Sequence, residues 1–288
     1  MSFRYNISVI IVSYNCLDAL MDCLQSINSQ TGVTVETIVI DNASKDNTAA
    51  YLKDQHLKKI LSSRNLGFGA AANLAASQAE GQYIFVLNPD TILPPDALKN
   101  LFEFAECTPR AGLISAMLVY QNGQPQLSAR TLPRRRDIFL GRGSPLFKLS
   151  LSDEKKAGYI IPPDNQPLRV PSISATAVLI KHEIFKDIGG FDSRFFMYLE
   201  DVDICRRIRE KGLEIWMLPE VKIKHSWRKS SNSRPYFASY LHHISVYKYF
   251  CKYEPKKIFH NLSLLIFLTI GYVFNSVITF LKKSGNES

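Results

Sequence analysis

Four apolar runs in the first third of the chain each end in polar side chains that could bind a ligand. The polar groups are Ser13-Tyr14-Asn15, Asp41-Asn42-Ala43-Ser44, Arg64-Asn65 and Asn88-Pro89-Asp90. We predict that the runs are parallel strands whose carboxyl ends share one edge of a sheet. In open α/β sheets that edge is where ligands bind. Four polar groups on one edge therefore indicate a ligand site more strongly than any single group does.

Asp90 follows a predicted buried strand, residues 83–87, and places a carboxylate at this edge. If a nucleotide diphosphate lies along the edge, a divalent cation held by the carboxylate and by diphosphate oxygens would balance its charge. We therefore expect Asp90 to hold Mg²⁺ or Mn²⁺, with His225 as a candidate second ligand. The alternative is that Asp90 is a turn residue and that His225 is structural.

Asp41 ends another predicted strand, and a carboxylate there can accept hydrogen bonds from a base N–H or a ribose hydroxyl. Asn42 and Ser44 can add polar contacts, although these residue types are also usual helix caps. Gly67 and Gly69 precede a predicted helix, where glycine lets the backbone approach an anionic ligand. A tight turn explains the two glycines as well.

Glu200 and Asp201 form a second acidic site, at or near the start of the helix predicted within residues 195–212. A carboxylate in such a place can act as a general base that takes a proton from an attacking hydroxyl. The alternative is that both residues stabilise the helix by placing negative charge at its N-terminus.

The composition limits the partners and the compartment. The net charge of +9 suits an anionic partner, such as a nucleic acid, a phosphorylated substrate or a membrane surface. The basic residues form no nucleic-acid-binding motif, so we expect no nucleic-acid partner. Five scattered cysteines without a CxxC pair favour a reducing compartment and argue against a cysteine zinc site. We expect the body of the protein to be cytoplasmic.

Strand-like and helix-like patterns alternate along most of the chain. Strands are predicted at residues 7–15, 33–44, 58–63, 83–90, 112–120, 172–181 and 214–227. Helices are predicted at residues 17–27, 45–54, 68–79, 95–106, 182–192 and 195–212. This alternation is typical of an α/β fold with a mostly parallel central sheet flanked by helices. Between residues 121 and 170 the regularity fails, which predicts a long basic excursion, either functional or simply solvated.

Residues 262–281 form an uncharged run of 20 residues, preceded by Lys256-Lys257 and followed by Lys282-Lys283. Its length suffices to span a bilayer. Its polar residues are also compatible with an amphipathic helix in the membrane interface, or with a helix packed on the domain or on a dimer partner. We expect a C-terminal hydrophobic helical segment associated with the inner face of the cell membrane.

Six stretches, in order between about residues 6 and 230, resemble family 2 glycosyltransferases. They are "VSYN", "VIDNASKDNT", "NLGFGAAAN", "FVLNPDT", "GGFDSRFFMYLEDVDICRR" and "KH". The resemblance implies a GT-A fold and a nucleotide-diphosphate sugar donor. The likeness is in particular to the rhamnosyltransferase branch of bacterial O-antigen and cell-wall polysaccharide assembly.

The resemblance also implies roles for individual residues. Asp41 would contact the nucleotide base, Asp90 would be the metal-binding end of a DxD motif, and His225 would complete the metal site. Asp201 would be the catalytic base, and Glu200 would position the acceptor. The implied donor-binding residues are Ser13, Tyr14, Asn15, Asp41, Asn42, Ser44, Arg64, Asn65, Gly67, Phe68, Gly69, Asn73, Asn88 and Asp90.

Three regions follow from this reading: a nucleotide-sugar-binding half (1–120), an acceptor half (121–230) and a membrane-associating segment (231–288). The first two together make a GT-A domain of residues 1–230. One departure concerns Asn88, because family members often have a carboxylate there. We expect weaker metal binding, or a metal held mainly by the substrate.

The implied reaction is a single inverting transfer to a hydroxyl of a lipid-linked saccharide or polysaccharide acceptor, with deoxythymidine-diphosphate rhamnose as the expected donor. Arg134, Arg135 and Arg136 would face the bilayer or the acceptor diphosphate. A homodimer is left open. The alternatives are a nucleotidyltransferase, which lacks support because "SYNCLDALMD" replaces the usual glycine-rich loop, and a non-catalytic degenerate transferase acting as a membrane interaction module.

Overall fold

Apolar strands and amphipathic helices alternate through the first part of the chain, as the sequence predicts. The computed structural model describes residues 3–140, 158–226 and 235–284. The first ten elements are β1 (Tyr5–Ser13), α1 (Leu17–Asn28), β2 (Val35–Asp41), α2 (Thr48–Lys53), β3 (Lys58–Leu61), α3 (Phe68–Ala76), β4 (Gly81–Leu87), β5 (Thr91–Ile92), α4 (Ala97–Cys107) and β6 (Ala111–Val119).

The second part of the chain is less regular. Its elements are β7 (Ala129–Arg130), α5 (Arg135–Leu140), β8 (Leu168–Arg169), β9 (Ser172–Ile173), β10 (Ala177–Lys181), α6 (His182–Asp187), α7 (Glu200–Glu210), β11 (Glu214–His225), α8 (Pro235–Tyr253) and α9 (Ile258–Ser284). The predicted basic excursion at 121–170 contains β7, α5 and β8, and its residues 141–157 lie outside the described residues.

One predicted strand differs from the structure in its pairing, and one predicted helix start is confirmed. The strand predicted at 172–181 is two strands, because β9 leaves the main sheet to pair with β7 while β10 enters it. The helix predicted within 195–212 begins at Glu200, where the sequence places its start, because Tyr198 and Leu199 before it have left-handed backbone angles, with φ of 70° and 65°. An L-residue in that region does not continue a right-handed helix.

The main sheet has the strand order β3-β2-β1-β4-β10-β6-β11-β5 in the part of the chain that the structure describes, with β8 paired to β11. Strands β3, β2, β1 and β4 are parallel, and β6 is parallel to β11. Strand β10 lies between these two groups and is antiparallel to both of its neighbours. The expectation of a mostly parallel sheet flanked by helices is confirmed.

Apolar side chains fill both faces of the sheet. On one face Ile7, Val9 and Ile11 of β1 pack with helices α1 and α4, and on the other face Ile10 packs with α3 and α7. The small residues of α3 let it lie against the sheet, and Ala71, Ala72 and Ala75 are completely buried. This packing fixes the strand ends that carry the predicted site.

The C-terminal helices are built onto the second half of the domain. A third apolar cluster joins segment 195–202 to α8 and the first half of α9. Its buried members are Phe195, Leu199, Val202, Val246, Tyr249, Phe250, Leu264 and Leu268. The predicted boundary between residues 230 and 231 lies outside the described residues, but helix α8 beyond it is part of this packed unit.

Asp203 is the polar centre of this junction. Its side chain is 0% exposed and accepts hydrogen bonds from Arg207 Nε (2.7 Å) and Tyr253 Oη (2.7 Å). Lys252 Nζ bonds to the same carboxylate and also pairs with Asp192 at 2.7 Å. A buried carboxylate requires such partners because leaving water costs several kcal/mol. The cluster therefore ties α7, α8 and the loop before α7 together.

Arg135 also bonds to the C-terminal helices, which corrects one expectation. Its guanidinium donates to Glu254 Oε2 (2.7 Å), to the carbonyl oxygen of His260 (2.9 Å) and to Asn261 Oδ1 (2.6 Å). It also lies over the ring of Phe250. Arg135 thus faces protein rather than a bilayer or an acceptor, because its N–H groups bond to residues at the start of α9 and just before it.

Replacing Lys252 with Met should destabilise the protein by about 3–5 kcal/mol, because it leaves the buried Asp203 without its ammonium partner. The free energy of unfolding can be measured by urea denaturation followed by circular dichroism.

Lys211→Met is the matched control. Lys211 pairs with Asp187 on the surface, where the two side chains are 50% and 63% exposed, and an exposed pair contributes about 0–1 kcal/mol. Equal losses in the two variants would show that Asp203 does not depend on Lys252.

Candidate active site

The ends of β1 and β2 lie side by side and bring two of the predicted polar groups together. Ser13 is in register with Asp41, and the backbone N–H of Asn42 donates to the carbonyl oxygen of Ser13 at 2.8 Å. Asp41 is buried, and its carboxylate accepts from the backbone N–H of Ser44 at 3.3 and 3.4 Å. The carboxylate thus shapes the turn after β2, but it does not cap α2, which begins at Thr48 with Asn47 at its N-cap.

Hydrogen bonds join the two loops that follow these strands. Asn15 Oδ1 accepts from the N–H of Lys45 (2.6 Å), and the N–H of Asn15 donates to Ser44 Oγ (2.9 Å). Asn15 and Ala43 have φ of 51° and 65°, a left-handed conformation that residues with a Cβ rarely adopt. Such strain persists only where the surroundings enforce it, and it concentrates at ligand sites.

Asn42 attaches the loop after β3 to the same edge. Its Nδ2 donates to Asn65 Oδ1 (3.1 Å) and to the carbonyl oxygen of Gly67 (3.3 Å), while its Oδ1 accepts from the N–H of Leu66 (2.8 Å). Asn65 Oδ1 also accepts from the N–H of Gly67 at 2.9 Å. The two amides therefore hold the loop in place.

The two glycines of this loop are required by protein packing. A Cβ on Gly67, which has φ of 81°, would lie 2.4 Å from the carbonyl oxygen of Phe196, and one on Gly69 would lie 2.8 Å from Cβ of Phe191. The space that we expected to serve a ligand is thus filled by segment 191–196. The glycines bring that segment, and the Glu200-Asp201 pair after it, against the loop.

Asn73 has a structural role where a donor contact was expected. Its Nδ2 donates to the carbonyl oxygen of Phe191 (2.7 Å), and its Oδ1 accepts from the N–H of Phe191 (2.8 Å). Both polar groups of the amide bond to the backbone of Phe191. Asn73 therefore fastens segment 191–196 to α3.

The other predicted donor residues lie along the same edge. Tyr14 is half-buried and Arg64 is exposed. The ring of Phe68 meets that of Phe191 edge to face at 5.7 Å. The backbone N–H of Asn88 donates to the carbonyl oxygen of Thr176 at 2.8 Å. Their contact with a donor stays a prediction.

Asp90 and His225 meet at this edge, as predicted. His225 Nε2 lies 3.4 Å from Asp90 Oδ1, and both side chains are largely buried. Gln126 holds the imidazole from behind: its Oε1 is 2.8 Å from His225 Nδ1, and its Nε2 donates to the His225 carbonyl oxygen at 2.7 Å. Because Gln126 Oε1 accepts, Nδ1 is the donor of this bond and Nε2 faces Asp90.

Glu200 is buried at the start of α7, directly after the strained Tyr198 and Leu199. Among the described residues its Oε2 has no hydrogen-bond partner. Burial, followed by the negative charge of Asp201, raises the pKa of Glu200 to about 8. The carboxyl is therefore mostly protonated at neutral pH.

Asp201 is paired with Arg130, which the sequence reading missed. Arg130 Nη2 lies 3.2 Å from each carboxylate oxygen, and Oδ1 also accepts from the N–H of Val202 at 2.8 Å. Arg130 and Gln126 both come from the irregular stretch after β6. The sequence indicated this stretch only as a basic excursion at 121–170, and nothing in its pattern singles out Gln126.

Solved structures identify the fold as that of the GT-A glycosyltransferases. The chain is similar to GalNAc-T7 in a crystal structure with UDP, GalNAc and Mn²⁺, with a TM-score of 0.60, 18% identity and coverage of 78% of this chain and 44% of that one. It is also similar to residues 1–349 of S. aureus TarS in complex with UDP, with a TM-score of 0.54, 18% identity and coverage of 84% and 65%. The chain thus spans under half of the first structure and just under two thirds of the second.

The family model for glycosyl transferase family 2 matches residues 8–189, so the chain belongs to this family. The family confirms the resemblance seen in the sequence motifs. The matched region includes the strand ends with Asp41 and Asp90 but ends before Glu200, Asp201 and His225.

Two relatives match most of the chain at 27–28% identity. The chain is 28% identical over 258 residues to the N-acetylglucosaminyl-diphospho-decaprenol L-rhamnosyltransferase of Mycobacterium tuberculosis H37Rv, covering 83% of this chain and 82% of the relative. It is 27% identical over 229 residues to the rhamnosyltransferase WbbL of Escherichia coli K12, covering 75% and 82%.

The raised pKa of Glu200 predicts a pH-dependent stability. A carboxyl whose folded pKa lies above its ordinary value of 4.5 stabilises the fold fully below that value, and this contribution is lost as pH rises towards about 8. The free energy of unfolding of the wild type, relative to Glu200→Gln, should therefore fall between these two pH values. Urea denaturation of both proteins across this range measures the difference.

Glu210→Gln is the control, because Glu210 lies on the exposed side of the same helix and pairs with Arg206. A difference between wild type and Glu200→Gln that stays flat with pH would contradict a buried, protonated Glu200.

Proposed function

We propose that the chain is an inverting glycosyltransferase that moves a sugar from a nucleotide diphosphate to a hydroxyl of a lipid-linked or polysaccharide acceptor. The expected sugar is rhamnose, from deoxythymidine-diphosphate rhamnose, in cell-surface polysaccharide assembly such as that of O-antigen. The names of the M. tuberculosis and E. coli relatives support this sugar. The main observation is that the loop at Gly67 and Gly69 packs directly against the segment leading to Glu200 and Asp201.

Asp201 is the general base in this proposal. It takes the proton of the acceptor hydroxyl while the oxygen attacks the anomeric carbon from the face opposite the nucleotide, and the bond to the nucleotide diphosphate breaks. Two adjacent carboxyls rarely ionise together, and environments that separate their pKa values separate their roles. Because Glu200 is the protonated member, Asp201 is left as the base, held through both oxygens by Arg130.

The nucleotide is proposed to bind along the ends of β1, β2 and β4, with Asp41 accepting from the base. The strained, cross-bonded loops at Asn15 and Ala43 support a preformed site there. A preformed site matters because binding then costs less conformational entropy than binding that must first order the loops.

The donor set of Asp90 and His225 fits a divalent cation. The pair offers one carboxylate oxygen and one imidazole nitrogen, and Gln126 orients the ring as the partners of metal-binding histidines do. The described residues contain no group of three or more His, Cys, Asp or Glu arranged for a metal, so the substrate diphosphate would supply further oxygens. When bound, Mg²⁺ or Mn²⁺ would neutralise charge on the leaving diphosphate.

We place the enzyme in the cytoplasm at the inner face of the cell membrane, where a lipid-linked saccharide would present its diphosphate. The name of the M. tuberculosis relative supports such an acceptor, and the net charge of +9 suits an anionic surface.

A non-catalytic, degenerate transferase is the second candidate, and Asn88 is the observation that favours it. An amide replaces the first carboxylate of the family pattern, which removes one negative charge at the metal. The retained Asp90–His225 pair and the buried Glu200 favour the enzyme. Membership of family 2 argues against the nucleotidyltransferase alternative.

Asp201→Asn should lower turnover ~10²–10⁴-fold, because an amide cannot accept the hydroxyl proton, while donor affinity stays nearly unchanged. The assay follows release of nucleotide diphosphate and transfer of sugar from a panel of deoxythymidine- and uridine-diphosphate sugars. Donor affinity is measured separately by isothermal titration calorimetry.

Asp54→Asn, on the exposed end of α2, is the control and should behave as wild type. A loss of donor affinity as large as the loss of turnover would overturn the base assignment. A folded wild-type protein that binds none of the sugars would instead favour the degenerate module.

Gln126→Leu should weaken Mn²⁺ binding about 10–100-fold, because the imidazole of His225 loses the group that orients it. Electron paramagnetic resonance of free Mn²⁺, titrated with protein and uridine diphosphate, gives the affinity without any turnover. Gln124→Leu, two residues away and exposed, is the matched control. Unchanged Mn²⁺ affinity in Gln126→Leu would argue that His225 is structural.

A further inference from the structure

Helix α9 has two different sides in the described part of the chain. One side is buried through Asn261, Leu264 and Leu268. The other side carries an apolar stripe with helical spacing, in which every side chain is between 53% and 85% exposed. We call this stripe the outer face of α9, and it consists of Phe259, Leu262, Ile266, Ile270 and Val273.

The buried side contacts protein from Asn261 to Tyr272. Leu264 and Leu268 belong to the apolar cluster of Val246 and Tyr249 on α8. Further along, Gly271 approaches His243, where an added Cβ would be 3.7 Å from Nε2, and Tyr272 packs against the rings of Tyr240 and His243. Residues 258–276, with a mean hydropathy of 1.5, are apolar enough to cross a membrane by length and composition. A helix with one side bound to the domain, however, leaves only its other side for lipid.

Charge at the start of α9 favours an anionic surface. Segments 134–137 and 254–257 meet there, because Arg135 bonds to Glu254 and Asn261. The two segments hold five basic and two acidic residues. Arg134, Arg136, Lys256 and Lys257 are exposed, so an excess of positive charge borders the outer face.

We propose that the outer face of α9 lies flat in the interface of an anionic lipid bilayer, and that α9 does not span it. An exposed apolar stripe of this size is unusual on a monomeric soluble protein. A helix with an apolar stripe and adjacent basic residues binds at the headgroup boundary by burying the stripe and attracting anionic lipid. This inference gives the membrane partner of the proposed function a defined contact surface.

The contact would also orient the active site. The cluster that holds the inner side of α9 includes Phe195, Leu199 and Val202, which flank the Glu200-Asp201 pair. Ser245 Oγ of α8 donates to the carbonyl oxygen of Met197 (2.9 Å), and Lys248 Nζ donates to that of Arg194 (2.8 Å). A bilayer on the outer face would therefore hold the catalytic pair at a set height above the lipid.

Flotation of the full-length protein with vesicles tests the proposal. Wild type should float with vesicles of phosphatidylglycerol and phosphatidylcholine and bind weakly to phosphatidylcholine alone. Ile266→Glu with Ile270→Glu should lower the partition coefficient at least tenfold, since two charges enter the apolar stripe. Arg136→Gln with Lys256→Gln should lower it about fivefold for each charge at low salt.

Met21→Glu with Leu74→Glu is the matched control, because both side chains are exposed on helices α1 and α3, away from α9. It should float as wild type does. Thermal melting of every variant verifies folding, and all four substituted apolar positions are exposed. Equal binding by the Ile266/Ile270 variant and wild type would overturn the proposal.

Two further outcomes would also overturn it. A protease-sensitive tag placed after Ser288 should stay accessible on vesicle-bound protein, and its protection would show a helix that spans the bilayer. The second outcome is a wild type that binds no vesicles but is a dimer by light scattering, while the Ile266→Glu, Ile270→Glu variant is a monomer. The outer face of α9 would then bind a second copy of the chain instead of lipid. Vesicle binding without sugar transfer would count against the proposed function alone, and transfer without vesicle binding would count against this inference alone.

Discussion

The second half of the molecule, which carries the candidate base, depends on one buried carboxylate. Asp203 is two residues beyond Asp201, and its negative charge is compensated by Arg207 on the same helix and by Lys252 on α8. Arg207 also donates to the carbonyl oxygens of Ile188 and Gly190 at 2.6 and 2.7 Å. A charge that cannot reach water forces its partners into fixed places. The start of α7, the strained residues before it and the C-terminal helices are therefore positioned by the same few bonds.

A second constraint links the candidate metal pair, Asp90 and His225, to the candidate base, Asp201. Gln126 orients His225, and Arg130, four residues further on, bonds to Asp201. The segment between them is buried through Ser128 and Ala129, with Ser128 accepting from the N–H of Ser174 at 3.0 Å. A shift of this segment would move both groups at once. The candidate metal pair and the candidate base are thus parts of one unit.

The sequence was most informative where structure is local. The β-branched run of β1 and the small residues of α3 predict their elements because burial on a sheet selects these residue types. The strand ends with Asp41 and Asp90 followed from the same periodicity. The partners of the site could not be predicted, since Gln126 and His225 are 99 positions apart and Arg130 and Asp201 are 71 apart. The break between β9 and β10 was missed because both strands are buried and only their pairing separates them.

The docking of α9 has a practical meaning for anyone who prepares this protein. A hydrophobic C-terminal segment is an obvious target for deletion when a protein must be purified without detergent. Here a chain ending at residue 257 would lose Leu264 and Leu268 and would uncover Val246 and Phe250 beside Val202 of α7. It would also deprive Arg135 of Asn261. Such a shortened chain would exchange one exposed apolar surface for another, this time next to the candidate active site.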